Sequence, residues 1–302
     1  MTDLASCLEE YLQLRRGLGH QMGHAERPLR QFVAHLSERG LDTVTVVDAI
    51  EWAGEETLSH PRPPTRATLR LSVVRGFAGW LHALDPRHEI PPTKVFPGLP
   101  GRRAPHIYTA EQVSNLLDAA SKLSRREGRN CYRVFFGLLT VTGMRVSEAI
   151  ALSRPDVDFQ ADVVTVVDSK SRTPRLIPLH PTTAAVLSDF AAGSPIGPLF
   201  ANPAGGRLAY SSVRYAFNQM RSAAGLSDLE PLPRIHDLRH TFAVNTLLDW
   251  SRDGDDIRTR LPLLSTYLGH SNPAHTYWYL TSVPALMSDA AQLLTVNGSP
   301  LP

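Results

Sequence analysis

The sequence predicts a mainly α-helical protein with two domains and one small antiparallel β-sheet in the second domain. Apolar residues recur at helical spacing along most of the chain, and only residues 162–179 have the pattern of a β-hairpin. Prolines and glycines cluster between residues 85 and 105, where a helix cannot continue. Because 302 residues exceed the usual size of one hydrophobic core, we expect domains over 1–88 and 106–302, joined by a linker over 89–105.

Four helices are expected in the first domain. They cover 4–19, 27–40, 43–58 and 63–84. The first two end at glycine, which is typical of helix C-termini. The third begins in a valine-rich run that also fits a strand, but Thr45 with Asp48 three residues on has the spacing of a helix N-cap.

The second domain is expected to be helical around the single hairpin. Helices are predicted over 109–123, 131–143, 211–225, 235–250, 261–270 and 283–294. Thr109 and Gln112 have the spacing of a capping box at the start of the first of these. The second is almost wholly apolar, so we expect it to be buried and to end at Gly143. In the hairpin, β-branched residues flank a polar turn.

Composition narrows the class of the protein and its location. The net charge of +2 neither requires nor excludes nucleic acid, because a local basic stripe matters more than the total. The two cysteines, Cys7 and Cys131, lie far apart and fit neither a disulfide framework nor a zinc motif. The chain begins without a signal-peptide pattern and has no apolar run of about 18 residues. We therefore expect a cytoplasmic protein with no membrane partner.

Two segments place arginines where they could hold an anion. In "TGMRVSEAI", Arg145 precedes Glu148 by one helical turn, so that the carboxylate can hold the guanidinium. In "HDLRH", His236 and Arg239 share a helix face, and an anion between them would relieve their repulsion. Taken singly, the first pattern also fits a structural ion pair and the second a buried polar cluster.

A zinc site is an alternative interpretation of the histidines. His236 and His240 are spaced at i, i+4, and His270 could be a third ligand. The neighbouring cation of Arg239 opposes metal binding, and the glutamate of a metalloprotease motif is missing.

A lysine and a tyrosine complete a possible phosphoryl-transfer site. Lys170 lies in the hairpin turn, where the common alternative is a solvated side chain. Tyr279 could form a covalent ester with a phosphate, with Tyr277 and Tyr267 as competitors and core packing as the alternative for each. Two arginines can grip the non-bridging oxygens of one phosphodiester, while histidines move protons and the lysine protonates the departing oxygen. Such a set requires no metal and no cofactor.

The order of these segments resembles a known family. "TGMRVSEAI", "SKSRTPRLIPL", "HDLRHTFA" and "LGHSNPAHTYWYL" are similar, in order and spacing, to the motifs of tyrosine recombinases of the phage-integrase and Xer types. The resemblance is close over 109–294 and loose over the N-terminal helices. It implies a helical N-terminal core-binding (SAM-like) domain and an α-rich catalytic domain with a small sheet, which together clamp duplex DNA.

The resemblance also implies a role for each site residue. His236 and Arg239 match the family's HxxR motif, and Tyr279, nine residues after the histidine of "LGH", stands where the family has its nucleophile. Tyr277 and Trp278 are then packing residues. The implied catalytic residues are Arg145, Lys170, His236, Arg239, His270 and Tyr279.

Basic residues outside these motifs are candidates for binding DNA phosphates. The segment "TRATLRLSVVRGFAGWL" resembles the core-binding helix of the family's N-terminal domain, and three arginines recur every four residues in and just before it. Two more lie seven apart on another predicted helix. A solvated face is the alternative for the first group. The candidates are Arg62, Arg66, Arg70, Arg214 and Arg221.

The implied activity is site-specific recombination of double-stranded DNA through a 3′-phosphotyrosine, by four protomers on two sites, with accessory proteins as possible partners. The connection between "HDLRH" and "LGH" is longer than in Xer-type enzymes, and "LSTYLGH" with "TYWYL" resembles integrases of transposons and other mobile elements. We therefore expect the integrase of a mobile element. The alternatives are a type IB topoisomerase and a non-catalytic DNA-binding regulator.

Overall fold

Helices form most of the protein in a computed structural model, and the described part of the chain contains one three-stranded sheet. The structure describes residues 3–59, 65–97, 103–123, 131–167, 174–192, 196–270, 272 and 276–278, without the side chains of 56–59. The chain divides into two compact units, Met1–Arg102 and Arg103–Pro302. The division falls inside the predicted linker.

The N-terminal unit contains the four expected helices. They are α1 (Leu4–Gly17), α2 (Gly23–Glu38), α3 (Val46–Ser59) and α4 (Thr65–Leu84). At the start of α3, the N–H of Asp48 donates to the hydroxyl of Thr45 at 3.1 Å, and that hydroxyl donates to the Asp48 carboxylate at 2.6 Å. The N-cap prediction is confirmed, and the strand alternative for the valine run is wrong because this cap begins a helix there.

Aromatic side chains form the centre of the N-terminal core. Phe32 of α2 packs on Trp52 of α3 with ring centroids 5.1 Å apart, and Tyr11 of α1 packs on Phe77 of α4 at 5.3 Å. All four rings are buried. The four helices therefore enclose one hydrophobic core within this unit.

The second unit contains seven α-helices among its described residues. They are α5 (Ala110–Leu123), α6 (Cys131–Thr142), α7 (Val146–Ala151), α8 (Pro181–Ala191), α9 (Tyr210–Ala223), α10 (Ile235–Arg252) and α11 (Ile257–Leu268). The capping box of α5 is confirmed, since Gln112 N–H donates to Thr109 Oγ1 at 3.2 Å and Thr109 N–H donates to Gln112 Oε1 at 3.1 Å. Helix α8 was not expected, and α7 was implied only by the one-turn spacing of Arg145 and Glu148. The predicted helix over 283–294 lies outside the described residues.

The sheet consists of three antiparallel strands in the order β1 (Val157–Asp158), β2 (Val163–Val167) and β3 (Pro174–Pro178). Val166 pairs with Arg175, and Val164 pairs with Ile177. The predicted hairpin is confirmed, and the two-residue strand β1 adds to it. The hairpin turn, with Lys170, lies outside the described residues.

Two hydrophobic clusters hold the second unit together. The larger includes Phe135 and Phe136 of α6 with Phe200 and Phe217, all buried. The smaller joins α10 to α11 through residues such as Leu247 and Leu264. Helix α6 also packs against α10, so these helices form a continuous frame for the residues at their ends. In the part of the chain that the structure covers, no helix has the length and apolar character needed to cross a membrane.

Candidate active site

Arg145 begins α7 just beyond the end of α6. Its backbone N–H donates to Glu148 Oε2 and its Nη1 donates to Glu148 Oε1, both at 2.7 Å. Its Nη2 donates to the carbonyl oxygen of Gly269 at 2.6 Å. The expected ion pair between Arg145 and Glu148 is therefore present, and the arginine also reaches the end of α11.

Glu148 is a buried carboxylate shared by two guanidinium groups. Arg175 of β3 donates from Nη1 to Oε1 at 3.0 Å and from Nη2 to Oε2 at 2.7 Å. Burial alone raises the pKa of Glu148, but the hydrogen bonds from Arg175 and Arg145 outweigh it and lower the pKa overall. The carboxylate is therefore ionised at neutral pH and balances part of the positive charge around it.

Arg239 of α10 is a buried cation, only 2% exposed. Its Nη1 donates to the carbonyl oxygen of Gly143 at 2.9 Å, and its Nη2 donates to that of Leu268 at 2.6 Å. Burying a charge is costly unless hydrogen bonds compensate, and here backbone carbonyls from two different helix ends do so. The guanidinium is consequently fixed between the ends of α6 and α11.

Three arginines from different parts of the chain meet at the last carbonyls of α11. Arg175 Nε donates to Tyr267 O at 2.8 Å, next to the two carbonyls that receive Arg239 and Arg145. A helix leaves its final carbonyls without helical partners and carries partial negative charge at that end. The carbonyls at the end of α11 therefore hold Arg145 and Arg239 in neighbouring positions. Two arginines have to be neighbours in this way if both are to bind one phosphate.

Two glycines lie at the site where neighbouring side chains pack closely against the backbone. Gly143 and Gly269 end α6 and α11 with φ of +62° and +66°, a region that favours glycine. A Cβ on Gly143 would lie 2.4 Å from Phe242 Cδ1, and one on Gly269 would lie 3.0 Å from Arg175 Nη1. The carbonyls of both glycines accept from arginines of the site, so these turns also shape it.

His236 lies one turn before Arg239, in the first turn of α10. Although the residue as a whole is exposed, loss of hydration around the ring is the largest cause of a pKa lowered to about 4, and the charge of Arg239 acts in the same direction. Its ring also contacts that of His240 edge-on, with centroids 4.7 Å apart. His236 is therefore neutral at pH 7 in this structure.

His270 follows the glycine that ends α11. Its backbone N–H donates to Ser265 O at 3.0 Å, and its Nδ1 lies 2.8 Å from the hydroxyl of Thr276, which is buried. These contacts hold the ring at the same helix end that binds the arginines.

The tyrosine candidates differ in their surroundings. Tyr267 stacks on Phe242 with centroids 5.5 Å apart, and burial raises the pKa of Tyr267 to about 12. Trp278 packs near His240 at 5.8 Å and against the smaller cluster, as expected. Tyr277 is 50% exposed, so the expectation that it packs is wrong, because adjacent helical positions point about 100° apart. Tyr279 lies outside the described residues.

The five arginines proposed to bind DNA are not alike. Arg70 Nη2 donates to Trp52 O at 2.9 Å and its guanidinium lies 3.7 Å from the Trp52 ring centre. Arg221 Nη1 donates to Pro233 O at 3.1 Å. Both therefore have partners within their own units. Arg214 is exposed on α9, Arg66 is half-buried on α4, and Arg62 lies outside the described residues.

The zinc alternative does not fit the structure. His236, His240 and His270 are all described, yet no group of three or more His, Cys, Asp or Glu side chains among the described residues could hold a metal ion. His236 and His240 meet edge to face, and His270 is bound to Thr276. The i, i+4 spacing of the two histidines therefore reflects side-chain packing on α10.

Arg175 is the site residue that the sequence did not reveal. It shares the inner face of β3 with buried Ile177, two residues on, while the residues between and beside them are exposed. An arginine at such a core-facing position needs a buried acidic partner. The alternation is visible in "PRLIP", but the partner, Glu148, is supplied by a different element.

Comparison with known proteins gives a consistent result. Residues 107–285 match the model of the Phage integrase family. An integrase/recombinase of Sinorhizobium fredii named y4rB is 39% identical over 313 residues, covering 97% of this chain and 98% of that protein. The tyrosine recombinase XerD of Mycobacterium leprae is 30% identical over 311 residues, covering 92% of each.

Solved structures share the fold. The integrase of transposon Tn1549, in complex with a circular intermediate DNA, has a TM-score of 0.64 at 17% identity, covering 93% of this chain and 98% of that one. A lambda integrase tetramer bound to a Holliday junction has a TM-score of 0.64 at 17% identity, covering 92% and 77%.

Proposed function

The chain belongs to the phage integrase family of tyrosine recombinases, and from this membership we propose that it cuts and rejoins duplex DNA at specific sites. One observation carries the assignment of the site: Arg145 and Arg239 donate to the adjacent carbonyls of Gly269 and Leu268. Two guanidinium groups anchored on adjacent carbonyls can grip one phosphodiester and balance the extra charge of a pentacovalent transition state.

Each step of the proposed reaction forms one phosphate ester bond and breaks another. The phenolic oxygen of Tyr279 attacks the phosphorus, a bond from tyrosine to the 3′-phosphate forms, and the bond to the 5′-oxygen breaks. Lys170 gives its proton to the departing 5′-oxygen, while Arg145, Arg239 and His270 stabilise the transition state. The 5′-hydroxyl of a partner strand then attacks the phosphotyrosine and gives its proton back to Lys170, while Tyr279 leaves and regains its own proton. No ATP and no cofactor enter this balance.

His236 assists the loss of the tyrosine proton. Its pKa of about 4 keeps the imidazole neutral and able to accept a proton. A bound phosphodiester adds negative charge nearby, which raises the pKa of His236 toward neutrality, where proton transfer is most effective.

DNA is bound by both parts of the chain in this proposal. Residues 1–88 form the core-binding domain and 106–302 the catalytic domain, joined by 89–105. Arg214 is the phosphate-binding candidate best supported in the second domain because it is exposed on α9. Arg62, Arg66, Arg70 and Arg221 remain proposed contacts, and binding through Arg70 or Arg221 has to compete with their present partners.

The biological setting is the mobility of DNA. Exchange of two pairs of strands needs four protomers on two DNA sites, so we propose a tetramer on DNA, aided by accessory proteins where the site requires them. The motif sequences and the long connection before "LGH" favour transposition by a mobile element over chromosome resolution. We propose that the protein acts on DNA in the cytoplasm.

A plasmid assay tests this function against the two alternatives. Duplexes tiling the genomic DNA on both sides of the gene are cloned in pairs on supercoiled plasmids. A recombinase deletes or inverts the segment between two copies of its site. A type IB topoisomerase relaxes every plasmid without rearranging it. A DNA-binding regulator leaves the plasmids both supercoiled and unrearranged. Tyr279→Phe protein is the control, because it retains DNA binding and loses covalent chemistry.

A further inference from the structure

Arg175 occupies a core-facing position in β3. It pairs with Val166 and lies two residues before Ile177, on the same face of the strand, and both of these residues are buried in the core. Its side chain is only 11% exposed. A cation in this place costs stability unless the surrounding structure uses it.

All three guanidinium nitrogens of Arg175 donate within the protein. Two bind the two oxygens of Glu148, at 3.0 Å and 2.7 Å, and Nε binds Tyr267 O at 2.8 Å. The same guanidinium lies where it would closely approach a Cβ on Gly269. Arg175 therefore links β3 to α7 and to the end of α11. Each nitrogen of its guanidinium already donates to the protein, so none is left to bind a substrate.

Glu148 depends on Arg175 for half of the hydrogen bonds at its carboxylate. Oε1 accepts from Arg145 Nη1 and Arg175 Nη1, while Oε2 accepts from Arg145 N and Arg175 Nη2. With Arg175 in place, each carboxylate oxygen is held by two donors, one from Arg145 and one from Arg175. Without it, Glu148 can rotate and carry the Arg145 guanidinium with it.

We propose that Arg175 is a positioning residue for DNA cleavage, which holds Arg145 through Glu148 in the orientation that neutralises the phosphorane. It touches neither DNA nor the reacting atoms. Preorganised donors stabilise a transition state because they need no rearrangement when charge develops. This inference rests on the proposed function, since the phosphate held by Arg145 is the one that Tyr279 attacks.

The test uses the full-length protein and one DNA duplex. Covalent capture from the tiled genomic duplexes identifies a cleaved duplex and its scissile phosphate, and this duplex serves all comparisons. Arg175→Lys keeps a positive charge beside Glu148 but cannot bind both of its oxygens and Tyr267 O together. Arg175→Gln removes the charge. Arg207→Gln is the matched control, because Arg207 also donates to backbone carbonyls, those of Ile150 and Ala151 near the end of α7, without contacting Glu148 or Arg145.

We expect Arg175→Lys to fold, to bind the duplex with unchanged affinity, and to form the covalent adduct about 10- to 100-fold more slowly than the wild type. Arg207→Gln should cleave at the wild-type rate. If Arg175→Gln does not fold, only the rate of Arg175→Lys is compared with that of the wild type. Wild-type cleavage by Arg175→Lys overturns the inference and leaves the proposed function standing, whereas no adduct with the wild-type protein overturns both.

Two modified duplexes separate positioning from a general structural effect. A methylphosphonate at the scissile position lacks the charge that Arg145 neutralises, so the deficit of Arg175→Lys should shrink there. A 5′-bridging phosphorothiolate has a leaving group that needs no proton, and the deficit should persist on it. An equal deficit on the methylphosphonate, or its loss on the phosphorothiolate, contradicts positioning through Arg145.

Discussion

Arg145 and Arg239, from different helices, donate hydrogen bonds to the neighbouring carbonyls of Gly269 and Leu268 at the end of α11, each at 2.6 Å. This relationship makes α11 part of the site, because its last turn determines where both guanidinium groups lie. The same helix end leads to His270 and onward to the segment that contains Tyr279. Changes at this junction should therefore affect stability and chemistry together.

Replacing Arg239 with glutamine should abolish cleavage and lower stability. The buried carbonyls of Gly143 and Leu268 would each lose a charged donor, and an unpaired buried polar group costs about 1–3 kcal/mol. Chemical denaturation measures the stability loss, and covalent capture of duplex DNA measures the activity. Arg252→Gln, at an exposed position of the same helix, is the control and should leave both unchanged. Full cleavage by Arg239→Gln would contradict the assignment of this residue.

Replacing Glu148 with glutamine should destabilise the second unit by about 3 kcal/mol at neutral pH, because two guanidinium groups lose a buried counter-ion. The folded pKa of Glu148 lies below its ordinary value of 4.5, so its contribution is present above that pH and is lost as pH falls through the folded pKa. The difference in unfolding free energy between wild type and variant should therefore narrow below pH 4.5. A difference that does not change with pH would refute an ionised Glu148.

The pH dependence of stability should also report on His236. Its pKa is about 4 in the folded protein against an ordinary value of 6.5, so the unfolded chain binds more protons between these values. The contribution of His236 is complete above pH 6.5 and is lost as pH falls toward 4. His88 also has a lowered pKa, through burial, so the measurement is the difference between wild type and His236→Asn. The wild type should lose more stability than the variant between pH 7 and pH 5; parallel curves would mean that His236 titrates normally.

Gly143→Ala should cost more stability than the backbone conformation alone explains. At Gly143, φ is +62° and a Cβ would lie 2.4 Å from Phe242. Gly225 is the matched control, because it also follows a helix and has φ of +70°, but nothing lies within 4 Å of the place where its Cβ would be. Gly225→Ala should lose about 1–2 kcal/mol from the left-handed conformation. Gly143→Ala should lose more and should also slow cleavage, since its carbonyl binds Arg239. Equal losses in thermal or chemical unfolding would show that Phe242 moves aside without cost.

Local signals in the sequence predicted the helix starts well. The caps at Thr45 and at Thr109 with Gln112 involve residues three apart, so the spacing alone indicates the contact. The hairpin also follows from its own residues. Strand β1 was not predicted, because its two residues, Val157 and Asp158, form a strand only by pairing with β2.

Arg145, Arg239 and His270, which lie at the end of α11, could be singled out from the sequence, but their geometry could not. The sequence paired Arg145 with Glu148 because they are one helical turn apart. It missed Arg175 because the partners of that residue lie on α7 and α11, far away along the chain. The intramolecular contacts of Arg70 and Arg221 could not be predicted for the same reason. Helical spacing predicts a row of basic residues, but it does not show that the Trp52 ring contacts Arg70 or that the Pro233 carbonyl accepts from Arg221.

The identity of the tyrosine that bonds to DNA tests the central claim most directly. Protein trapped on a cleaved duplex is digested, and mass spectrometry locates the nucleotide on a peptide, with Tyr277→Phe and Tyr279→Phe proteins treated in parallel. We predict a 3′-phosphate linked to Tyr279 in the wild type and in Tyr277→Phe, and no adduct in Tyr279→Phe. A nucleotide on Tyr277 or Tyr267, or an adduct that survives Tyr279→Phe, would contradict a phosphate held by Arg145 and Arg239 for attack by Tyr279.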